Sequence, residues 1–360
     1  MTSSEIRNLR LINQQIIRHH FNNLPDLVEW MGAVQAQDYA ASRWAVGMRL
    51  ANTDEQEVEK AVNQRKIVRT WLLRGTLHLV SASDAGWMNQ LIGPRLLAKH
   101  HNAFLKSGFS EAVFHKITQI FIEILSGGKQ LSRKELFDAL EHQGISAKGE
   151  KGSDILYFAG FSGLLCMGNF SGKQMTYALL DEWISVKTTM TTEEALTALA
   201  LRYFQSHGPA TLQDFVWWSG LSVTEAKIGL ENAGKSLRFV NIDGQRYWFT
   251  ESVSLEKIKD QSVFLLPPYD EYFLGYKDRS MILDPAYRKA VEPGNGFSPT
   301  FILNEKVAGT WRREIGKNKV KIEVFPFEIL GKKAEKALEK AVEQYASFLK
   351  LPCEFEIFHK

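Results

Sequence analysis

The sequence predicts a mixed α+β chain. Tandem winged-helix units, each a group of helices closed by a β-hairpin, precede a small C-terminal β-barrel with a helix packed on it. Three observations carry that prediction. Helix-capping signals followed by hairpin signatures recur along the chain, and Gly128 and Gly208 fall at equivalent places in the second and third repeats. From Ser262 the texture changes to alternating strands and turns. The units are placed at residues 1–108, 109–188, 189–258 and 259–360.

In the first unit, Ile6, Leu9, Ile12 and Ile16 mark a helix from residue 5 to about 20, and Pro25 opens another. Leu27, Trp30, Met31 and Val34 keep the helical spacing, so this second helix runs to about Val34. Gln35-Ala36-Gln37 follows. Residues two apart point roughly 200° from each other on a helix but share one side of an extended segment, so a common role for the two glutamines requires the helix to break there. Asp38 supports the break as the N-cap of a further helix, with Ala40, Trp44, Gly47 and Met48 as its packed stripe. Val58 and Val62 mark a helix over 54–64, and strands over 67–73 and 76–80 flank Arg74-Gly75 as the wing. Residues 91–104, with Pro94, Arg95 and Lys99, read as a connecting helix.

The second unit has a helix through Phe114, Ile117, Phe121 and Ile124, a Ser132–Glu135 capping box and a third helix over 154–163. Its hairpin, 164–168 with 175–180, turns at Asn169-Phe170-Ser171-Gly172-Lys173. The loop 144–152, with Lys148 and Lys151, reads either as a follower of a phosphate backbone or as a plain solvated loop. In the third unit, Thr191–Glu194 caps a helix striped by Leu196, Leu199 and Tyr203, which Gly208-Pro209 ends. Thr211 starts the next helix, Ser222–Glu225 caps the third, and 237–242 with 246–250 form a hairpin around Asp243-Gly244. The C-terminal unit has strands over 264–266, 301–303, 307–311, 319–325 and 354–358, with a helix over 334–349 packed across them.

A chain of 360 residues that is 44% hydrophobic can bury the cores of two or more domains, which excludes a disordered chain. No run of 18 apolar residues and no signal-like N-terminus occurs, so a cytoplasmic, nucleoid-associated protein without membrane contact is expected. Cys166 and Cys353 lie far apart, and His19-His20 and His100-His101 are adjacent pairs rather than the i, i+4 spacing of a helical metal site. Neither a disulfide, a metal nor another cofactor is expected. The net charge of +3 argues little, but its distribution says more. Residues 60–83 hold Lys60, Arg65, Lys66, Arg69 and Arg74 with no acid. Residues 302–321 hold six cations, among them Arg312 and Arg313, against Glu305 and Glu314. Each patch reads either as a phosphate-binding surface or as a solvated face.

On spacing alone, the two glutamines read as helix-terminus amides bonded to backbone. Taken with RTWLLRGTLHLV at 69–80, LLPPYDEY at 265–272 and GTWRR at 309–313, the Gln-Ala-Gln segment resembles the AlkZ/YcaQ family of bacterial DNA glycosylases. These segments span nearly the whole chain, in order. The resemblance implies the winged-helix array and barrel, and excision of bulky alkylated or crosslinked purines from double-stranded DNA. Its catalytic motif is Gln-x-Gln in one branch and Gln-x-Asp in the other, and Gln35 and Gln37 match the first. On this reading Gln35 and Gln37 are catalytic, and Arg69, Arg74, Arg312 and Arg313 contact DNA. His78 either reaches the lesion pocket or is a core histidine bonded to backbone. Asp270 and Glu271 read as structural or DNA-facing, and Asp278-Arg279 as a local ion pair. A monomer suffices for asymmetric damage.

Two amides can carry such a reaction because a purine alkylated at N7 already bears a positive charge and departs neutral, so the acid of ordinary glycosidases is dispensable. What remains is to hold a water opposite the base and to give the developing sugar cation a polar neighbour, which a carboxamide oxygen can do. No lysine occurs between Met1 and Glu59, so a Schiff-base nucleophile is lacking near the bridge and a monofunctional enzyme is expected. The competing reading is a noncatalytic winged-helix regulator, with an RNA-binding or scaffolding protein behind it. Polar side chains converging beside the first wing favour the enzyme.

Overall fold

The computed structural model describes residues 1–172, 174–250, 261–294 and 296–359, and the chain folds as a mixed α+β structure. Lys173, at the expected hairpin tip, and the expected boundary at 258/259 lie outside those residues.

Helix α1 (Ser3–Asn13) opens on a Thr2–Glu5 capping box. It ends well before residue 20, because Gln15 takes a left-handed turn (φ 59°) and the Gln14 amide is drawn into the interior against Tyr276. Helix α2 (Leu24–Met31) stops short of Val34 at Gly32, whose φ of 75° suits glycine and ends a helix without steric cost. The bridge then runs as strand β1 (Val34–Gln35) into helix α3 (Tyr39–Gly47), where the Asp38 carboxylate accepts from the Ala41 N–H at 3.0 Å. Helix α4 (Glu55–Asn63), strands β2 (Ile67–Trp71) and β3 (Leu77–Ser81), and helix α5 (Ala82–Lys106) complete the region. Helix α5 is longer than expected, passing through Pro94 and starting directly from β3.

The next region contains α6 (Glu111–Leu125), β4 (Leu131–Ser132), α7 (Arg133–His142), α8 (Glu150–Phe161), β5 (Leu165–Ser171), β6 (Gln174–Leu179) and α9 (Leu180–Trp183). Helices α10 (Thr192–Ser206) and α12 (Val223–Ala233) begin at the capping boxes that the sequence marks, and α11 (Leu212–Ser219) begins at Thr211 as expected, on a capping box that Asp214 completes. Strands β7 (Arg238–Ile242) and β8 (Gln245–Phe249) turn on Asp243 and Gly244, both at positive φ, as a two-residue hairpin requires.

The C-terminal strands correct the expected barrel. β9 (Val263–Leu266), β10 (Thr300–Leu303), β11 (Lys306–Ile315), β12 (Val320–Pro326) and β13 (Cys353–Ile357) form an open sheet in the order β13-β12-β11-β10-β9, with short helices α13 (Glu271–Leu274) and α14 (Arg288–Val291) inserted between β9 and β10. Among the described residues its edges do not meet. The reason lies in the last connection: helix α15 (Lys332–Leu349) crosses over and lays β13 parallel to β12, so the final strand extends the sheet instead of closing it.

The first two hairpins also join. β2 pairs with β5 at Arg69↔Met167, giving one six-stranded sheet in the order β1-β3-β2-β5-β6-β4. Strands β1, β2 and β3 are buried on both faces. Val34, Ile67 and Leu79 belong to a core shared with the C-terminal sheet, whereas Val68, Leu77 and Val80 belong to a core shared with α5, α8 and α10. The glutamine bridge is thus the rim of a sheet held between two cores.

Candidate active site

The helix breaks at the bridge, which is extended at Val34–Gln35 and bends at Gln37 and Asp38. Gln35 pairs with His78 and Val34 with Leu79, and the Ala36 N–H donates to the Leu77 carbonyl at 2.7 Å. Gln35 is buried at 8% exposure, and Gln37 is exposed. The Gln35 Oε1 accepts from Arg74 Nη2 at 3.0 Å, and the Gln37 Oε1 accepts from the Leu77 N–H at 3.2 Å. A guanidinium and a backbone N–H can only donate, so these contacts orient both amides, each oxygen keeping a second lone pair.

Two arginines hold the bridge. Arg69 is buried, and its Nε and Nη2 donate to the Ala36 carbonyl at 3.0 and 2.8 Å, with Nη2 also 3.4 Å from the Gln37 carbonyl. Its guanidinium lies behind the bridge, under the Tyr39 ring. Arg74 sits at a left-handed turn (φ 60°) between β2 and β3, and donates to the Trp218 carbonyl as well as to Gln35. Burial lowers its pKa, opposed by the Glu271 charge.

Glu271 closes the site from behind. It is fully buried on α13, and its Oε1 accepts from the Gln35 N–H at 2.9 Å. Its Oε2 accepts from Trp218 Nε1 at 3.0 Å and lies 3.3 Å from His207 Nε2. Burial alone would raise its pKa; hydrogen bonding to His207 and the fields of His207, His78 and Arg74 outweigh it and hold the carboxyl at about 2. Burial keeps His207 below its ordinary pKa, so its Nε2–H donates to Glu271 while Nδ1 lies 2.7 Å from Ser206 Oγ. Next to it, Asp270 forms a buried bidentate pair with Arg49, both contacts at 2.8 Å. The Asp270-Glu271 dipeptide therefore points two ways, one carboxylate into α3 through Arg49 and one into the bridge.

His78 is fully buried, with Nδ1 2.9 Å from the Thr76 carbonyl. Burial, reinforced by Arg74, lowers its pKa to about 4, so it is neutral near pH 7. The unfolded chain takes up that proton near pH 6.5, so this contribution is complete above 6.5 and is lost as pH falls toward 4. Urea unfolding should show stability declining through that window by on the order of 3 kcal/mol from this group. A His78→Asn chain that declined as steeply as the parent would exclude His78 as the cause.

The second basic segment looks different once folded. Arg312 is exposed and ion-paired to Glu323, its cross-strand partner, while Arg313 turns to the opposite side over the Tyr345 ring. Lys319 pairs with Glu354 and Lys321 with Glu323. The net positive window in sequence is thus met by acids of β12 and β13. Arg279 pairs with Glu292 at 3.2 Å, whereas the Asp278 carboxylate accepts from the Ser280 N–H, which corrects the expected local pair. A cavity of about 1220 Å³ lies between α11, α12 and the β7–β8 hairpin and is not lined by either glutamine.

Against this geometry, the profile of the DNA glycosylase AlkZ-like family matches residues 28–348. The chain belongs to the DNA glycosylase AlkZ-like family. Membership makes it an enzyme that hydrolyses N-glycosidic bonds of DNA. An AlkZ-like relative from Streptomyces sahachiroi, called interstrand DNA cross-link repair glycosylase, is 28% identical, over 89% of this chain and 88% of its own length. The solved structure of Streptomyces sahachiroi DNA glycosylase AlkZ superposes with a TM-score of 0.82 at 24% identity, covering 99% of both chains, so the two share one fold over that length.

Of the residues marked in this AlkZ-like sequence, Gln35, Gln37, Arg69, Arg74 and His78 converge, and Arg312 and Arg313 lie apart on β11. Sequence reasoning missed Arg49, His207 and Trp218. Only the Trp218 indole N–H carries a signal, since a buried indole needs an acceptor, and that signal does not name the partner.

Proposed function

We propose that the chain is a monofunctional DNA glycosylase that releases cationic N7-alkylated purines, with bulky adducts and interstrand crosslinks within its range. The observation that carries this reading is the pair of carboxamides on one short sheet-edge bridge, each oriented by a donor that cannot accept. Gln37, being exposed, holds the attacking water through the free lone pair of Oε1. Gln35, its oxygen already polarised by Arg74, faces the sugar as the positive charge develops. Arg69 and Glu271 act through the bridge, as positioning residues. The tandem winged-helix arrangement supplies the surface for double-stranded DNA, and one monomer suffices for an asymmetric lesion. The name of the Streptomyces relative supports the crosslink part of the range.

The experiment is incubation with duplex DNA carrying a single N7-methylguanine. Base release followed by strand cleavage only after alkali is the expected result, and excess EDTA should leave the rate unchanged. Borohydride should trap no covalent adduct, since that requires a lysine amine at the sugar. Absence of base release would remove the glycosylase reading, and a trapped adduct would remove the two-glutamine mechanism.

Phosphate contacts should make binding steeply salt-dependent and nearly independent of sequence. Arg312→Glu should flatten the salt slope by about one unit, while Arg313→Glu should leave it unchanged. Equal effects from both would mean that the two side chains reach DNA together.

A further inference from the structure

Phe170 lies on the β5–β6 hairpin, a different part of the chain from the glutamines, yet its ring sits 5.2 Å from that of Tyr39, two residues beyond Gln37. Tyr39 in turn covers the Arg69 guanidinium at 5.2 Å, and Arg69 grips the bridge backbone. The layers run from the buried cation outward through Tyr39 to Phe170. At 36% exposure, Phe170 is the member that meets solvent.

The chain commits several residues to aiming this ring. The β5–β6 register shifts between Met167 and Phe170, so the hairpin carries a bulge there. Bulges re-aim side chains and are frequent beside active sites. Gln130 accepts from the Asn169 N–H at 2.7 Å, and the Thr176 hydroxyl donates to the Asn169 carbonyl at 2.5 Å, locking the bulge from both sides. At Gly168 a Cβ would lie 2.5 Å from Thr176 Oγ1 and 2.7 Å from Gln130 Oε1, so the lock closes only around a glycine.

We infer that Phe170 is a nucleobase-stacking residue. It presents its outer face to the π-face of a base exposed at the lesion, with Tyr39 and Arg69 as its backing. An aromatic ring stacks on any base, so the contact adds affinity without sequence preference, which suits an enzyme that must read damage and not sequence. The inference rests on the glycosylase reading of Gln35 and Gln37.

The test is binding of the full chain to duplex DNA carrying one N7-methylguanine, measured across a salt series. Phe170→Ala should weaken binding about tenfold, the scale of one lost base–aromatic stack, with the slope against log salt unchanged because no ion is released at a ring. Phe170→Trp should restore binding and Phe170→Leu should not, which separates stacking from plain apolar packing and guards against a misfolded alanine variant. Binding by Phe170→Ala within twofold of the parent, full rescue by leucine, or a changed salt slope would each overturn the inference. Base release by the parent chain is scored separately. A parent that excises while Phe170→Ala binds normally removes only the stack, and a parent that fails to excise removes the glycosylase reading.

Discussion

Gln37→Ala and Gln35→Ala should each slow excision of N7-methylguanine by about 10²–10⁴-fold under single-turnover conditions, with affinity for the lesion duplex close to that of the parent. The geometry separates the two. Gln37 is exposed, so its loss removes the proposed contact to water and leaves the Leu77 N–H to solvent, at little cost to the fold. Gln35 is buried, and its loss also leaves an Arg74 donor without its acceptor, so a modest stability cost of about 1–3 kcal/mol should accompany the slower excision. Excision at the parent rate by the double variant Gln35→Ala/Gln37→Ala would show that the bridge is not the reacting site.

Glu271→Ala should be the most destabilising change, on the order of 3–5 kcal/mol, because it removes the acceptor of the Gln35 N–H, the Trp218 indole and His207 together and leaves Arg74 without its opposing charge. Glu271→Gln keeps an acceptor and should cost less. The carboxyl also sets a pH dependence. Its folded pKa of about 2 lies below the ordinary value of 4.5, so its contribution is complete above 4.5 and is lost as pH falls from 4.5 toward 2. This window lies below that of His78, so the acid limb of a stability–pH curve should fall in two stages. Chemical denaturation across pH 2–8 checks both, and a Glu271→Ala chain as stable as the parent would refute the clamp.

Local physics explains which elements were legible. Capping boxes at Ser132, Thr191 and Ser222 are short-range hydrogen-bond patterns, and each of them heads a helix. The Asp243-Gly244 turn depends on two positive φ angles and is equally local. The break at Gln-Ala-Gln follows from side-chain periodicity and the Asp38 cap. Helix α1 departs from its pattern because Gln14 is claimed by Glu271 and Tyr276 far along the chain, a tertiary override of helical periodicity, and Gln15 turns left-handed directly after it. The barrel fails for a similar reason, since alternation identifies strands but not their order, which the α15 crossover settles.

By itself the sequence determined the α+β composition, the repeated helix and hairpin signals, the helix break at the glutamine bridge and, through its segments, the family. Only the tertiary structure decided that Arg69 and Arg74 serve the bridge from inside, that Glu271 reaches back to the Gln35 N–H across 236 positions, and that acids on β12 and β13 meet the second basic run. Periodicity and capping act over three or four residues and can be read from one strand of text. The potential at a buried carboxylate or an exposed arginine is the sum over whatever the fold brings within a few ångströms, and that neighbourhood does not exist until the chain has closed.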